Sequence, residues 1–291
     1  MPNKSRPRIL WTVLGISLIA ALGVWSLLFS LNDRSVLSLT VFDVGQADAV
    51  FIETPDRFQV LIDGGGDARI LQKLGSVMPF WDRTVDLVIL THPHADHVGG
   101  LVDVIKRYRV GAVIESNANY GTAEYAEWQK LKKENNIVSH SAVLGMRVGI
   151  GRYARVQILS PFGVMSAVSL KNPHDANVTA LVSFGASKFL LMGDAEDEIE
   201  RGILGRGINP RANMLKVGHH GSRTSSSEIF LAAVSPGISV VSAGRNNRYG
   251  HPHQEILDRL AAFSKQVFRT DRDGDVVISS DGRSVTTATA K

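Results

Sequence analysis

The sequence predicts an α/β fold in which two packed β-sheets carry helices on their outer faces, preceded by one N-terminal transmembrane helix. Three observations lead to this prediction: an uncharged opening stretch, short apolar strands that alternate with amphipathic helical stretches, and a second half that repeats the arrangement of the first. Strands and helices with one apolar side each have to bury it against a shared core. We therefore expect residues 1–34 to form a cytoplasmic N-terminus and membrane anchor, and residues 35–291 to form one globular domain.

The opening stretch carries no charged side chain from Ile9 to Leu31. A helix of this length spans roughly 34 Å, which exceeds a hydrocarbon core of about 30 Å. Lys4, Arg6 and Arg8 precede it, so the positive-inside rule places the N-terminus in the cytoplasm. This predicts a single-pass protein of the cell membrane with an extracytoplasmic globular domain. The alternatives are a cleavable signal peptide, which would give a secreted protein, and a buried core helix.

The composition restricts the chemistry of the globular part. The chain has no cysteine, so disulfides and thiolate ligands are excluded, and any metal site has to use imidazole and carboxylate. Residues 1–34 hold four of the 32 basic and one of the 28 acidic side chains, which leaves 28 basic and 27 acidic ones after them. This near balance argues against a broad nucleic-acid-binding face, so a polyanion would have to be held by a local patch.

The first half of the globular part begins as an antiparallel meander and continues with alternating helices and strands. The predicted strands are 36–44, 49–53, 58–62, 85–90 and 110–114, and the predicted helices are 70–77, 100–108 and 122–136. The last of these helices is rich in charge and is predicted to be exposed. The glycines Gly64 to Gly66 lack the spacing of a nucleotide-binding loop and are predicted to let the backbone pass close to the loop that follows strand 85–90.

The second half repeats this scheme of strands and helices. The predicted strands are 156–159, 178–184, 189–192, 214–217 and 238–242, and the predicted helices are 196–204, 226–233 and 253–263. A final hairpin pairs 275–278 with 284–289 and turns at Asp281-Gly282.

The strongest functional signal follows the predicted strand 85–90. His92, His94, Asp96 and His97 place three imidazoles and a carboxylate within six residues. Side chains on a loop at the carboxyl end of a strand can turn toward one point and bind one or two divalent cations. Surface histidines in a polar loop would not explain this density.

An aspartate occupies a similar position in the second half of the chain. Asp194 follows the predicted strand 189–192, where its carboxylate is a hard oxygen ligand that could face the histidine cluster. The alternative is an N-cap for the helix that is predicted to begin near Glu196.

Further histidines follow two other predicted strands. His219 and His220 come after strand 214–217, and one of the two is expected to complete the metal site. His251 lies in a loop after strand 238–242 and is expected at the same edge of the fold, the alternative being a cap for the next helix, a role better suited to His253.

These motifs resemble those of a known family. The cluster that begins at His92 is the HxHxDH signature of the metallo-β-lactamase superfamily, and the other motifs are similar to the hydrolase domain of competence-type (ComEC/Rec2-like) DNA-internalisation proteins. The similar segments are 43–48, 63–66, 193–196, 215–222, 249–253 and 270–274. The resemblance covers nearly all of residues 36–280, in order, and implies an αββα sandwich.

The resemblance implies two divalent metal ions as cofactors, zinc or manganese. One would be bound by His92 and His94 and the second by Asp96 and His97, with Asp194 bridging them.

The remaining histidines are assigned by the same resemblance. It favours His219 as a further metal ligand and leaves His220 for orientation or for the substrate. It makes His251 a metal neighbour or a hydrogen-bond donor to the leaving oxygen. Many superfamily members carry another histidine ligand before the glycine-aspartate motif, and here the candidates are His140 and His174. His174 lies where the competence-type proteins usually have an asparagine- and serine-rich segment.

The chemistry that these residues predict is metal-dependent hydrolysis. Two cations that share a water lower its pKa toward 7, which makes hydroxide the attacking group, with Asp96 orienting the water. We therefore expect Asp96, Asp194 and His251 to be the catalytic residues.

The substrate prediction rests on the basic residues that flank the motifs. Lys216, Arg223, Arg245 and Arg248 could hold a phosphate, and Ser222 is predicted to open a helix whose free N–H groups bind an anion. Together with His220 they favour DNA or another phosphodiester as the substrate, cleaved outside the cytoplasm. The alternatives are hydrolysis of a carboxylic ester, thioester, lactone or β-lactam, and a non-catalytic component of a DNA-uptake or envelope assembly.

Overall fold

The computed structural model describes residues 5–31, 36–118, 120–163 and 173–290, and for residues 5–9 and 26–31 it describes the backbone alone. The chain divides into two compact units, Met1–Ser35 and Val36–Lys291.

The first unit contains one helix, α1, over Ser5–Leu31. No helix is long and apolar enough to cross a membrane within the part of the chain that the structure describes. The predicted transmembrane anchor therefore has no support from the structure. Lys4, Arg6 and Arg8, which set the predicted orientation, and the two ends of the predicted apolar span, Ile9 and residues 26–31, lie outside the described side chains.

The second unit consists of strands and helices that alternate along the chain. Its strands are β1 (Leu37–Val41), β2 (Val50–Glu53), β3 (Gln59–Ile62), β4 (Thr84–Leu90), β5 (Arg109–Glu115), β6 (Val138–Ser141), β7 (Arg147–Ile150), β8 (Ala154–Ser160), β9 (Thr179–Phe184), β10 (Ser187–Leu191), β11 (Met214–Lys216), β12 (Ile238–Val241), β13 (Gln266–Arg269), β14 (Asp275–Ser280) and β15 (Val285–Ala290). Its helices are α2 (Arg69–Val77), α3 (Ala95–Arg107), α4 (Ala123–Glu134), α5 (Asp197–Gly205), α6 (Glu228–Val234), α7 (Gln254–Phe263) and the short α8 (Thr270–Asp273).

The strands form two sheets that are built alike. One has eight strands in the order β15-β14-β1-β2-β3-β4-β5-β6, and the other has seven in the order β13-β12-β11-β10-β9-β8-β7. The meander β1-β2-β3 is antiparallel, whereas β3 to β6 pair in parallel. The second sheet likewise joins an antiparallel part, β7 to β10, to a parallel run, β10 to β13. This confirms the α/β fold of two sheets.

Three apolar cores show how the layers stack. One core lies between the sheets, one lies under α2, α3 and α4, and one lies under α5, α6 and α7. Strand β4 contributes to two of them, because Leu87 and Ile89 point into the core between the sheets while Val88 and Leu90 point toward the helices. The layer order is therefore helix, sheet, sheet, helix.

Glycines allow the loop after β3 to pass against the start of α3, as the sequence predicts. A Cβ on Gly64 would lie 2.5 Å from the backbone nitrogen of Leu101, and one on Gly99 would lie 2.4 Å from the carbonyl oxygen of Gly66. Larger residues would force this loop away from the helix.

Two helix predictions were wrong in an informative way. Helix α3 begins at Ala95 rather than near Gly100, with His94 at the N-cap position, so Asp96 and His97 lie in a helical turn and not in a loop. An acidic residue in the first turn of a helix is favourable, which is consistent with this earlier start. Helix α4 is not simply exposed, since it buries Tyr125, Trp128 and Leu131 against the first sheet.

Candidate metal centre

The candidate site lies where the parallel strands of both sheets end. Strand β4 leads into His92, β10 into Asp194, β11 into His220 and β12 into the loop that carries His251. Because the carboxyl ends of parallel strands face one edge of a sheet, loops that are far apart in sequence converge there.

Three histidines form the first ligand group, which we call the triad: His92, His94 and His174. His92 is fully buried and the other two are half-buried. The Nε2 atom of His92 lies 2.9 Å from Nδ1 of His94, and Thr91 Oγ1 lies 3.2 Å from Nδ1 of His92. His174 joins them from the short helical turn Pro173–Ala176.

Two carboxylates and two histidines form the second group, the tetrad: Asp96, His97, Asp194 and His220. Nε2 of His97 lies 3.4 Å from Oδ2 of Asp194 and 3.6 Å from Oδ2 of Asp96. Nε2 of His220 lies 3.7 Å from Oδ1 of Asp194 and 3.5 Å from Oδ2 of Asp96. Asp194 also lies 3.8 Å from Nε2 of His92, which places one carboxylate between the two groups.

Hydrogen bonds hold the tetrad histidines with Nε2 inward. Nδ1 of His97 lies 2.8 Å from Oδ2 of Asp63, a buried carboxylate that also accepts from Thr91 N at 2.8 Å. Nδ1 of His220 lies 3.1 Å from the carbonyl oxygen of Ser242. The same contact is found around histidines that bind metals. The ring nitrogen that does not bind the metal donates a hydrogen bond to an oxygen, which fixes the orientation of the ring.

The charges of the tetrad favour a cation. Burial acts to raise the pKa of Asp194. The nearby histidines, mainly His220 and His97, nevertheless lower this pKa well below its usual value. Burial likewise opposes ionisation of Asp96, yet His97 and His220 lower its pKa to about 2. For His97 burial acts to lower the pKa, but Asp194 and Asp63 raise it well above the ordinary value. Both tetrad carboxylates are therefore negatively charged at neutral pH.

The residues present fit a divalent metal ion. Nε2 of His97, Nε2 of His220 and Oδ1 of Asp194 are buried and have no hydrogen-bond partner among the residues that the structure describes. Leaving a buried polar atom unpaired costs roughly 1–3 kcal/mol, so three in one cluster require an explanation. Ligands about 2.1 Å from a tetrahedral metal lie roughly 3.4 Å apart, which matches the tetrad separations. A cation would satisfy all three atoms.

The two groups open onto a cavity of about 210 Å³. It is lined by Gln46, His94, Asp96, His174, Asp194, His219, His220, Tyr249 and His251. His251, which the sequence assigns to this edge, stacks on Tyr249 with ring centroids 5.8 Å apart. Burial and the nearby His219 lower the pKa of His251 to about 4. His253 caps α7 only through its backbone, because its side chain makes no cap hydrogen bond.

The structure separates the roles of His219 and His220. Both adopt a left-handed backbone, with φ of 44° and 55°, and their rings diverge. His220 points into the tetrad, whereas Nδ1 of His219 lies 3.1 Å from Oε1 of Glu196. His219 still lies with His174 and Asp194 in a third possible ligand group. The arrangement favours His220 over His219 as the fourth member of the tetrad, and their ligand roles stay predictions.

Two residues predicted to bind substrate do not line the cavity. Lys216 is buried, forms an ion pair with Asp48 and donates to the carbonyl oxygen of Gly193 at 3.2 Å, so its ammonium group supports the site from within and does not face the cavity. Ser222 is also buried, and its hydroxyl contacts Thr224 Oγ1 at 3.1 Å. No helix begins at Ser222, since α6 starts at Glu228, so the predicted helix start is wrong and a role of Ser222 in binding substrate stays a prediction.

The arginines that were predicted to hold a phosphate are not among the residues that line the cavity. Arg248 is exposed and packs over the ring of Tyr249, with its guanidinium 4.9 Å from the ring centroid. Since Tyr249 lines the cavity, Arg248 stands at its rim. Arg245 is exposed and donates from Nε to the carbonyl oxygen of Asp271, and Arg223 pairs with Glu255.

Asp63 and Gln46 are two residues of the site that the sequence does not predict to be functional. Asp63 belongs to a recognised motif, but only its contact with His97 assigns it an orienting part. Gln46 accepts from Gly244 N at 2.9 Å through Oε1, and its Nε2 is buried without a hydrogen-bond partner among the described residues. Gln46 also lines the cavity. Both residues lie in segments that contain glycine and aspartate and that resemble the family's motifs. Their position in these segments is the sequence signal that could have indicated a role.

A family model described as the metallo-beta-lactamase superfamily matches residues 42–245. The chain belongs to this superfamily. The matched stretch contains the whole triad and the whole tetrad, so the ligand geometry of this metallo-β-lactamase chain lies inside the family region.

Three curated relatives are competence or recombination proteins. The chain is 29% identical to ComE operon protein 3 of Bacillus subtilis, covering 81% of this chain and 32% of that protein. It is 30% identical to Recombination protein 2 of Haemophilus influenzae, covering 87% and 30%. It is 28% identical to Competence protein ComA of Neisseria gonorrhoeae, covering 81% and 31%. The chain thus spans about a third of the length of these relatives, and the resemblance inferred from its motifs is confirmed.

Solved structures share the fold at low sequence identity. CmlA, a diiron β-hydroxylase from Streptomyces venezuelae, is 15% identical with a TM-score of 0.54, covering 87% of this chain and 54% of that one. YhfI from Bacillus subtilis, a metallo-β-lactamase fold protein, is 14% identical with a TM-score of 0.51, covering 80% and 96%.

Proposed function

We propose that the chain is a metal-dependent hydrolase that cleaves phosphodiester bonds in DNA. The observation that carries this proposal is the pair of adjoining ligand groups that have Asp194 between them. The triad would hold one divalent cation and the tetrad a second. Bound there, zinc or manganese would supply Lewis acidity and lower the pKa of water toward neutrality.

The residues of the chain itself position the reactants. Asp96 lines the cavity, where its carboxylate can accept a hydrogen bond from an attacking water. His251 lines the same cavity and can donate a hydrogen bond to the leaving oxygen. Asp63 and the carbonyl oxygen of Ser242 hold His97 and His220 in place during the reaction.

The choice of DNA rests on the relatives and on the rim of the cavity. The names of the relatives refer to competence and recombination. Arg248 and Tyr249 together offer a cation and an aromatic face beside the opening, a combination suited to a phosphate and its base. The extracytoplasmic setting rests only on the N-terminal charge pattern and stays a sequence prediction.

The test is cleavage of labelled single- and double-stranded DNA by the full chain with manganese or zinc. We expect cleavage by the wild type and a loss of at least about a hundredfold in Asp96→Ala, because an acceptor at the reacting position is removed. Arg248→Gln should be milder, with weaker binding and a flatter salt dependence while the chemical step is kept.

Acyl compounds provide the decisive counter-test. If the metal-loaded chain leaves DNA intact but hydrolyses a thioester, ester or lactone, the nuclease proposal is wrong and the acyl-hydrolase alternative replaces it. If neither class is cleaved although cations are bound, the non-catalytic alternative replaces both.

A further inference from the structure

A second cavity lies at the other end of the seven-stranded sheet. Its volume is about 710 Å³, and its lining residues stand where β10, β11, β12 and β13 begin. The metal-ligand loops stand where β10 and β11 end. The whole length of these strands therefore separates this cavity from the metal centre.

The lining of this cavity is basic. Lys188, Arg211 and Lys265 belong to the lining, and it includes no acidic residue among those that the structure describes. None of these three side chains forms an ion pair or hydrogen bond within the described ranges of the chain. Like charges in a concave surface add their potentials, so the cavity attracts anions although residues 35–291 are nearly neutral as a whole.

Backbone hydrogen bonds join the segments that carry these charges. The amide of Lys188 donates to Oδ1 of Asn213 at 2.8 Å, and the amide of Asn213 donates back to the carbonyl oxygen of Lys188 at 2.8 Å. Gly237 N donates to Asn213 O at 3.0 Å, and Lys265 N donates to Gly237 O at 3.0 Å. This chain of bonds fixes the backbone at Lys188 and Lys265, and Arg211 lies two residues before Asn213 in the same segment. A ligand therefore does not have to order the backbone at these positions first.

The chemistry of the lining selects the ligand. Among the residues that the structure describes, no aromatic one lines the cavity, so this lining offers no stacking surface for a base. Three unpaired cations suit repeated phosphate groups instead. We propose that this cavity binds a linear polyphosphate anion, either the backbone of a nucleic acid or inorganic polyphosphate. Such binding would occur whether or not the metal centre hydrolyses DNA.

The test compares two triple variants of the full chain that lose the same charge. The cavity variant is Lys188→Gln with Arg211→Gln and Lys265→Gln. The control is Arg107→Gln with Lys133→Gln and Arg147→Gln, which removes three exposed basic side chains from other surfaces. Binding of a fluorescent phosphorothioate thymidine 20-mer is measured by anisotropy over a range of salt, with inorganic polyphosphate as competitor.

We expect the cavity variant to lose at least about tenfold in affinity at low salt and to reduce the salt slope by roughly 2, since each contact on a single strand contributes about 0.7. The control should stay within about threefold of wild type. If inorganic polyphosphate displaces the labelled oligonucleotide at equal phosphate concentration, inorganic polyphosphate is the ligand. If the oligonucleotide stays bound, nucleic acid is the ligand.

Equal losses in both triple variants, or no binding of either probe by the wild type, would overturn the proposal. Thermal unfolding of each variant checks the fold. If the cavity variant unfolds, the double variant Lys188→Gln with Lys265→Gln replaces it, with Arg107→Gln and Lys133→Gln as its control. The cavity pair should lose affinity relative to the control pair, and equal affinities would contradict the site. DNA cleavage, measured on the same samples, reports separately on the metal centre.

Discussion

The triad and the tetrad hold their ligands in different ways. The tetrad is mostly buried, contains two charged carboxylates and has both histidines oriented by oxygen acceptors. The triad has no carboxylate of its own, two of its three rings are half-buried, and its closest contact is between the two imidazoles of His92 and His94. Two charges and preset rings stabilise a bound cation more than three neutral rings do. We therefore expect the tetrad to bind its cation first and more tightly.

Removal of the Asp194 carboxylate, which lies between the triad and the tetrad, should weaken cation binding at both groups. Asp194→Ala takes an oxygen from the tetrad and the negative charge nearest His92, so affinity for both cations should fall by at least about a hundredfold, and hydrolysis with it. Elemental analysis after desalting measures the loss. Asp197→Ala, an exposed aspartate three residues along the chain, is the control and should retain its metal. Full metal content in Asp194→Ala would contradict the shared position.

His220 distinguishes the two groups. His220→Ala removes a tetrad ligand only, so the tighter of two binding events in a calorimetric titration should disappear while the weaker one stays within about threefold. His219→Ala should keep the tighter event, because its ring turns to Glu196. If His219→Ala abolishes the tighter event and His220→Ala does not, the assignment drawn from the sequence is right and the one drawn from the geometry is wrong.

Asp63 probes orientation without removing a ligand. Asp63→Asn keeps the shape but weakens the acceptor for Nδ1 of His97, and we expect about a tenfold loss of affinity at the tetrad. The triad should change less, because Asp63 reaches His92 only through Thr91. Asp67→Asn, an exposed aspartate on the same loop, serves as the control. An unchanged titration curve in Asp63→Asn would mean that burial alone holds the ring of His97.

Much of the fold could be predicted because apolar period and turn chemistry are local signals. The period of two in β4 and the glycines beside Gly64 both have the consequences expected of them. The sequence predictions were wrong at residues whose role depends on contacts with distant parts of the chain. Helix α4 was predicted to be exposed because it is rich in charged residues. It nevertheless buries Trp128, whose indole N–H donates to the buried Glu115 at 3.0 Å. Strands β7 and β13, which lie at the edges of their sheet, lack a strong apolar pattern and were not predicted.

The site was less predictable than the fold. The sequence places His92 and Asp194 at strand ends and His251 in a loop after a strand, and the structure brings them to one edge. It could not tell that His219 and His220 diverge, because this depends on two left-handed residues in succession. Nor could it show that Lys216 is paired with Asp48, which lies 168 residues away in the chain.

The most direct test of the account is a titration of the metal-free full chain with zinc or manganese, followed by calorimetry and elemental analysis. We predict two bound cations per chain in two separable events, the tighter of which is lost in His220→Ala. Fewer than about 0.2 cation per chain after either metal is added would contradict the account, since ligands of this number and charge should retain a divalent ion.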